Sequence, residues 1–155
     1  AIQASLTGHL VLSSVHTNNA SSAITRMKDM GIESYLLAST VKGILAQRLV
    51  RKLCVACKEE YKSTTDVHGI PLDSKLFRPK GCSVCNETGY TGRIGVFEFL
   101  SINDKLKEAI NNDSSEESIS NIAFKNQNNL VQSGVELVTK GLTSVDELMR
   151  VTKEQ

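Results

Sequence analysis

The chain has 155 residues, a length that suits one ordinary domain or a partial domain carrying a small module. Its 18 basic and 17 acidic side chains leave a formal charge of +1, which speaks against a general nucleic-acid binder, because such a protein presents a strongly basic face. No apolar run approaches the roughly eighteen residues of a membrane span and no leader with a cleavage site is visible, so the expectation is a soluble intracellular chain with no direct membrane span.

The opening "AIQASLTG" reads as the end of a helix, with Gly8 as its stop, and suggests a fragment whose N-terminal partner precedes Ala1. Next, "LVLSSV", residues 10–15, is a short β-prone run without strict alternation. That pattern suits a strand covered on both faces inside an α/β sheet. His9 and His16 flank it, seven apart. Strand side chains alternate faces, so the two rings should point to opposite sides and one ion is not easily gripped by both.

Asn18 or Asn19 can cap a helix from about Ala20 to Met30, ended by Gly31. Ser34 opens what reads as a longer helix to about Lys52, with Leu37, Val41, Ile44, Leu45 and Leu49 at helical spacing. Arg48, Arg51 and Lys52 would then gather in its last turns. Two readings of that cluster stay open: a solvated helix end that complements the dipole, or a phosphate or partner contact.

Residues 54–85 differ in kind. Two cysteine pairs bracket a polar stretch that holds both prolines, Pro71 and Pro79, and no long helix or strand pattern is visible between them. A strand follows at "RIGVFEFL", and then an all-helical tail. Its starts are marked by Asn103, by Ser114 with Glu117 three residues on, and by Ser144 with Glu147 three residues on. Ile119, Ile122 and Ala123, then Val131, Val135 and Val138, supply the tail's apolar faces.

Cys54 and Cys57 form one C-x-x-C pair and Cys82 and Cys85 a second. Two such knuckles can converge on one tetrahedral Zn²⁺ through four thiolates, a closed shell with no position left for substrate, so the role would be structural. The segment between them lacks a core of its own, and a metal cross-link would hold it. Iron can occupy the same four sulfurs. A redox pair lacks its thioredoxin-like context, and disulfides are disfavoured in a reducing cytosol.

Taken together, "AIQASLTGHLVLSSVHTN", "AITRMKDMGI", "LAQRLVRKLC", the two C-x-x-C pairs, "TGYTGRIGVFE" and "GLTSVDELMRVT" resemble, in family order, the secretion ATPases of type II secretion and type IV pilus assembly, the GspE/PilB family. The resemblance spans nearly the whole chain. The four cysteines point to these members, since pilus-retraction ATPases of the same superfamily generally lack the metal-binding insert.

The resemblance implies an α/β fold: the C-terminal portion of a RecA-like P-loop ATPase core over residues 1–53, an inserted four-cysteine zinc module over 54–92, and a return strand with an all-helical C-terminal subdomain over 93–155. It makes His9 and His16 the histidine box, expected at the nucleotide site. His16, with Thr17 and Asn18, would lie at the carboxyl end of a buried strand, where open α/β sheets place their ligands, and a neutral imidazole there suits sensing the γ-phosphate or orienting the attacking water. His9 admits a structural hydrogen bond as readily. Arg93 matches a family arginine expected to approach the nucleotide base; a guanidinium can stack on adenine, and the alternative is a structural arginine fixing the Gly-rich turn.

The sequence contains no G-x-x-x-x-G-K-[ST] loop and no acidic Walker B strand, so residues 1–155 alone should not form a complete ATP site or hydrolyse ATP. In the intact protein the resemblance implies ATP, Mg²⁺ and structural Zn²⁺ as cofactors and a homo-hexameric ring. It also implies a cytoplasmic location, peripheral at the inner membrane through platform proteins of the secretion or pilus machine. The rival from another class is a non-catalytic zinc-ribbon adaptor that binds proteins through its helical tail. A zinc-ribbon nucleic-acid binder is disfavoured by the neutral charge balance and by the lack of aromatic residues interleaved with basic ones.

Overall fold

The computed structural model describes residues 1–63 and 69–152. Residues 64–68 of the polar stretch between the cysteine pairs, and 153–155 of the expected tail subdomain, lie outside the described residues. The chain is gathered into two compact units, both discontinuous: residues 1–46 with 98–127, and residues 47–97 with 128–155.

The first unit is mainly helical, with α1 (Ile2–Leu6), α2 (Ala20–Asp29), α3 (Ser34–Thr40), α4 (Asp104–Asn111) and α5 (Glu116–Ala123). α1 stops where Gly8 takes φ +90°, and the Gly8 and His9 amides then donate to Ser5 and Ala4 carbonyls, both at 3.1 Å. α2 begins with a reciprocal cap: Asn19 accepts from the Ser22 amide, and Ser22 Oγ accepts from the Asn19 amide. The Ala20 amide donates to the carboxylate of Glu98, which is only 4% exposed, so a buried negative charge faces the positive end of the helix. Ile24, Leu37, Leu100, Leu106, Ile110 and Ile119 form the centre of this unit's core. Each such side chain contributes roughly 1.5–3 kcal/mol by leaving water.

The second unit is built on strands. It holds residues 47–53 of β1 (Gly43–Leu53) and 90–97 of β4 (Tyr90–Ser101), two strands that pair with each other, and β2 (Glu59–Lys62), which pairs antiparallel with β3 (Lys75–Arg78), Glu59 opposite Arg78 and Lys62 opposite Lys75. α6 (Leu130–Thr139) and α7 (Val145–Thr152) complete it. Val50 and Val96 pack with Leu130 and Val151, while Ile70 and Leu76 pack with Val138 and Leu148. The segment between the cysteine pairs thus does bury apolar side chains, and it does so against the helical tail.

Several expectations are corrected. The helix expected from Ser34 to Lys52 stops at Thr40, and β1 begins at Gly43. The apolar positions fit both periods, but from Gly43 onward burial alternates residue by residue, with Ile44, Ala46, Arg48 and Val50 more buried than Leu45, Gln47 and Leu49. Arg48, Arg51 and Lys52 therefore lie on a strand and complement no helix end. The strand expected at residues 10–15 has no ladder: residues 9–17 carry neither helix nor strand, and Leu10 and Leu12 are 87% and 88% exposed. A strand exists only through hydrogen bonds to a neighbour, and none of the described residues supplies one here. The alternation argument that set His9 and His16 on opposite faces, and His16 at the end of a buried strand, consequently does not apply to this chain as it stands. The cap expected at Ser114 falls one residue later, where Ser115 Oγ accepts from the Ser118 amide. Asn103 caps α4 as expected, and Ser144 Oγ accepts from the Glu147 amide. The strand expected at 93–100 runs from Tyr90 to Ser101.

Candidate functional site

The two C-x-x-C pairs come from separate turns of the second unit. Cys54 directly follows β1, and Cys82 opens a single 3-10 turn over Ser83–Cys85 before the chain enters β4. Their sulfurs converge. All four lie within 4.8 Å of one another, with Cys54–Cys82 at 3.9 Å, Cys57–Cys85 at 3.8 Å and Cys82–Cys85 at 3.7 Å. Four thiolates at zinc–sulfur distances of about 2.3 Å would stand about 3.8 Å apart along each edge of a tetrahedron, so the spacing fits a divalent ion at the centre.

Backbone amides are aimed at the same sulfurs. Cys85 Sγ receives the amides of Cys82 at 3.3 Å and Gly89 at 3.2 Å. Burial pushes the Cys85 thiol up, yet these two amides, together with the Cys82 and Cys57 thiols, outweigh it and bring it down to about 7. The amide of Ala56 and the hydroxyl of Thr91 lower the Cys54 thiol in the same sense. Burial dominates at Cys57, which is pushed up to about 11 despite the Gly81 amide. Donors turned toward sulfur favour thiolates, the form that binds a metal, and a closed set of four leaves no place for substrate. The chemistry supported is a structural cross-link.

The residues that build this cage include some not singled out by sequence reasoning, Gly89 above all. Its amide donates to Cys85 Sγ, its carbonyl accepts from the Cys54 amide at 2.9 Å, and its φ of +75° leaves a Cβ no room beside Pro79. The signal was the Gly-rich "TGYTG" just past the second pair. In the sequence Arg51 stands out only as part of a basic cluster. It donates through Nε to the buried Glu147 and lies 4.2 Å over the Tyr90 ring.

The other candidates are on the surface. His9 is exposed, with Nδ1 3.1 Å from Thr7 Oγ1 and 3.3 Å from the Ala4 carbonyl. His16 is exposed in the irregular segment before α2, and Arg93 is exposed on β4 just after Gly92. Both histidines belong to the first compact unit; Arg93 and the cysteines belong to the second. The four cysteines are brought together among the described residues.

Residues 1–150 match the family model described as "Type II/IV secretion system protein". The chain is 45% identical over 160 residues to the type II secretion system ATPase E of Vibrio cholerae, covering 99% of this chain and 32% of that protein. It is 45% identical over 160 residues to the type II secretion system protein E of Pseudomonas aeruginosa, again over 32% of the relative. The type IV pilus assembly ATPase TfpB of Acinetobacter baylyi is 40% identical over 162 residues, 97% of this chain and 27% of the relative. The chain therefore spans about a third of the length of the curated relatives it matches. Among solved structures, the pilus retraction motor PilT with bound ADP superposes with a TM-score of 0.65 at 21% identity, over 99% of this chain and 36% of that one, a likeness of α/β fold. Among the described residues no helix is long and apolar enough to cross a membrane.

Proposed function

Because the chain belongs to the type II/IV secretion system protein family, we propose that residues 1–155 act within a motor ATPase of the length of those relatives. Its ATP hydrolysis would drive assembly of a pseudopilus or pilus. The observation that carries this reading is the 45% identity to a type II secretion ATPase over 99% of the chain, with the histidine-flanked segment, both cysteine pairs and Arg93 all inside the matched length. In this proposal residues 1–53 belong to a RecA-like core, 54–92 form the metal module and 93–155 carry a return strand and a helical subdomain.

His16 is proposed to touch the γ-phosphate or the attacking water, with His9 in the same box, and Arg93 to stack on the nucleotide base. Residues 10–15, whose Leu10, Leu12 and Val15 are exposed here, would become a strand by pairing with the remainder of a larger sheet. Cys54, Cys57, Cys82 and Cys85 would hold one structural Zn²⁺, which supplies a cross-link and no reaction chemistry. ATP and Mg²⁺ would be held largely by residues outside this chain, since its sequence has no phosphate-cradling loop. A homo-hexameric ring, cytoplasmic and bound to inner-membrane platform proteins, is the assembly the proposal requires.

The test is phosphate release measured on the intact protein and on residues 1–155 alone. Mg²⁺-dependent hydrolysis by the intact protein, absent from the 155-residue chain, is the expected result. An intact protein with no such activity overturns the reading.

A further inference from the structure

The first cysteine knuckle is bracketed by two hydrogen bonds that land on one turn. Leu53, immediately before Cys54, donates its amide to the Leu142 carbonyl at 2.9 Å. Lys58, immediately after Cys57, donates Nζ to the Gly141 carbonyl at 2.8 Å. Gly141 and Leu142 form the corner between α6 and α7. The corner is fitted closely: Gly141 takes φ +65°, and a Cβ there would stand 2.5 Å from the Phe77 ring, over which Lys58 Nζ sits at 4.5 Å. Neither bond is made by a metal ligand, yet both donors are held in place by the knuckle they flank. The Lys58 amide itself closes the Cys54–Cys57 turn by donating to the Cys54 carbonyl at 3.0 Å.

From this we infer that the four-cysteine site is a lock on the α6–α7 corner: metal occupancy fixes the direction of Leu53 and Lys58, and through them the order of residues 141–142 and the start of α7. The inference rests on the metal reading above and goes further, since it names where in the tail the state of the metal is felt and which side chain carries it. With the metal gone, the sulfurs lose their common centre, the short knuckle keeps only its own turn and the bond from the Cys54 amide to the Gly89 carbonyl, and the two donors drift from their carbonyls. The remaining ties of the corner to β1 and β4, from Thr143 Oγ1 to the Arg51 carbonyl at 2.8 Å and between Ser144 Oγ and Tyr90 hydroxyl at 2.7 Å, stay in place. Loosening is then confined to the corner rather than spread through α7.

Amide exchange on the full chain tests this: the Leu53 amide reports its own bond to Leu142, the Gly141 and Leu142 amides, which donate to the Val138 and Leu137 carbonyls, report the order of the corner, and Leu37, Leu106 and Ile119 in the other unit serve as references. Three samples are compared: zinc-loaded chain, chain stripped by a chelator with a reductant present, and zinc-loaded Lys58→Met, which keeps an apolar stem over Phe77 and removes only the donor. Stripping should speed the reporters on the order of tenfold and leave the references unchanged. Lys58→Met should retain its zinc and speed the same reporters by a similar order, the consequence of losing one charge-assisted hydrogen bond. Stripping Lys58→Met should then add less than stripping the wild type, because one link serves both effects. Reporters unmoved by verified zinc loss, or moved only together with the references, overturn the lock while leaving the metal site standing. A chain that takes up no zinc overturns both.

Discussion

Arg51 Nε donates to Glu147 Oε2 across 2.5 Å, joining β1 to α7 through a carboxylate that is only 1% exposed. Arg150 grips the other oxygen, with Nε at 2.9 Å. Burial pushes the Glu147 carboxyl up, but the hydrogen bonds and charges of Arg150 and Arg51 outweigh it and hold the group below the usual carboxylate range. A carboxyl depressed in the folded state contributes stability above its unfolded value, and that contribution is lost as pH falls through the folded value. Both guanidinium groups are about half exposed, so solvent screening limits the ionic part. Glu147→Gln is expected to cost roughly 2 kcal/mol at neutral pH. It should also flatten the acid limb, so that wild type and variant converge in urea midpoint below the usual carboxylate range. Parallel pH profiles would show that the ion pair does not set the acid sensitivity.

Metal content tests the cysteine cage. Elemental analysis of the chain prepared without chelator should give about one zinc per molecule, the stoichiometry of a closed four-thiolate site. Single serine replacements at Cys54, Cys57, Cys82 or Cys85 should each lower it, since every sulfur belongs to the same cluster. Full zinc content in any one of them would remove that cysteine from the ligand set.

Gly89 is the tightest point of the module. A Cβ there would stand 2.4 Å from the Pro79 Cβ and 3.2 Å from the Lys80 amide nitrogen, on a backbone with φ +75°. Gly89→Ala should therefore destabilise by about 1–3 kcal/mol through strain alone. It should also weaken zinc retention, because the same residue bonds both Cys85 and Cys54. Chelator competition against the wild type measures the second effect. Unchanged zinc affinity would confine Gly89 to a backbone role.

For the residues proposed at the nucleotide site the readouts differ by role. In the intact protein, His16→Ala should lower kcat far more than nucleotide affinity if the ring acts on the transition state, and His9→Ala should lower it less. Arg93→Ala should raise KM with a smaller change in kcat, the signature of a group that binds the base equally before and during reaction. Wild-type kinetics in any of these variants would strike that residue from the site.

Residue chemistry that is local in sequence was legible without a structure. The C-x-x-C spacing, the caps at Asn19 and Asn103, the glycine stops at Gly8 and Gly31, and the ordered motifs that carry the family resemblance all depend on neighbours a few positions apart. Long-range pairing was not legible. Whether Gly43–Leu53 is helix or strand turns on β4, which lies some forty residues on, and a run such as Leu45–Val50 carries apolar residues at both periods. The same holds for "LVLSSV", whose strand propensity has no ladder to join among the described residues, and for Ile70 and Leu76, whose burial depends on Val138 and Leu148 in the tail. Lys58 and Gly141 are 83 residues apart and nothing near either one marks the other as its partner. Sequence alone thus determined the two cysteine pairs and the family likeness, because these are written in residue identity and short spacing. Tertiary structure decided which strand forms, what the segment between the cysteine pairs leans on and where its donors end, because a hydrogen-bonded ladder and a shared core exist only once distant segments meet.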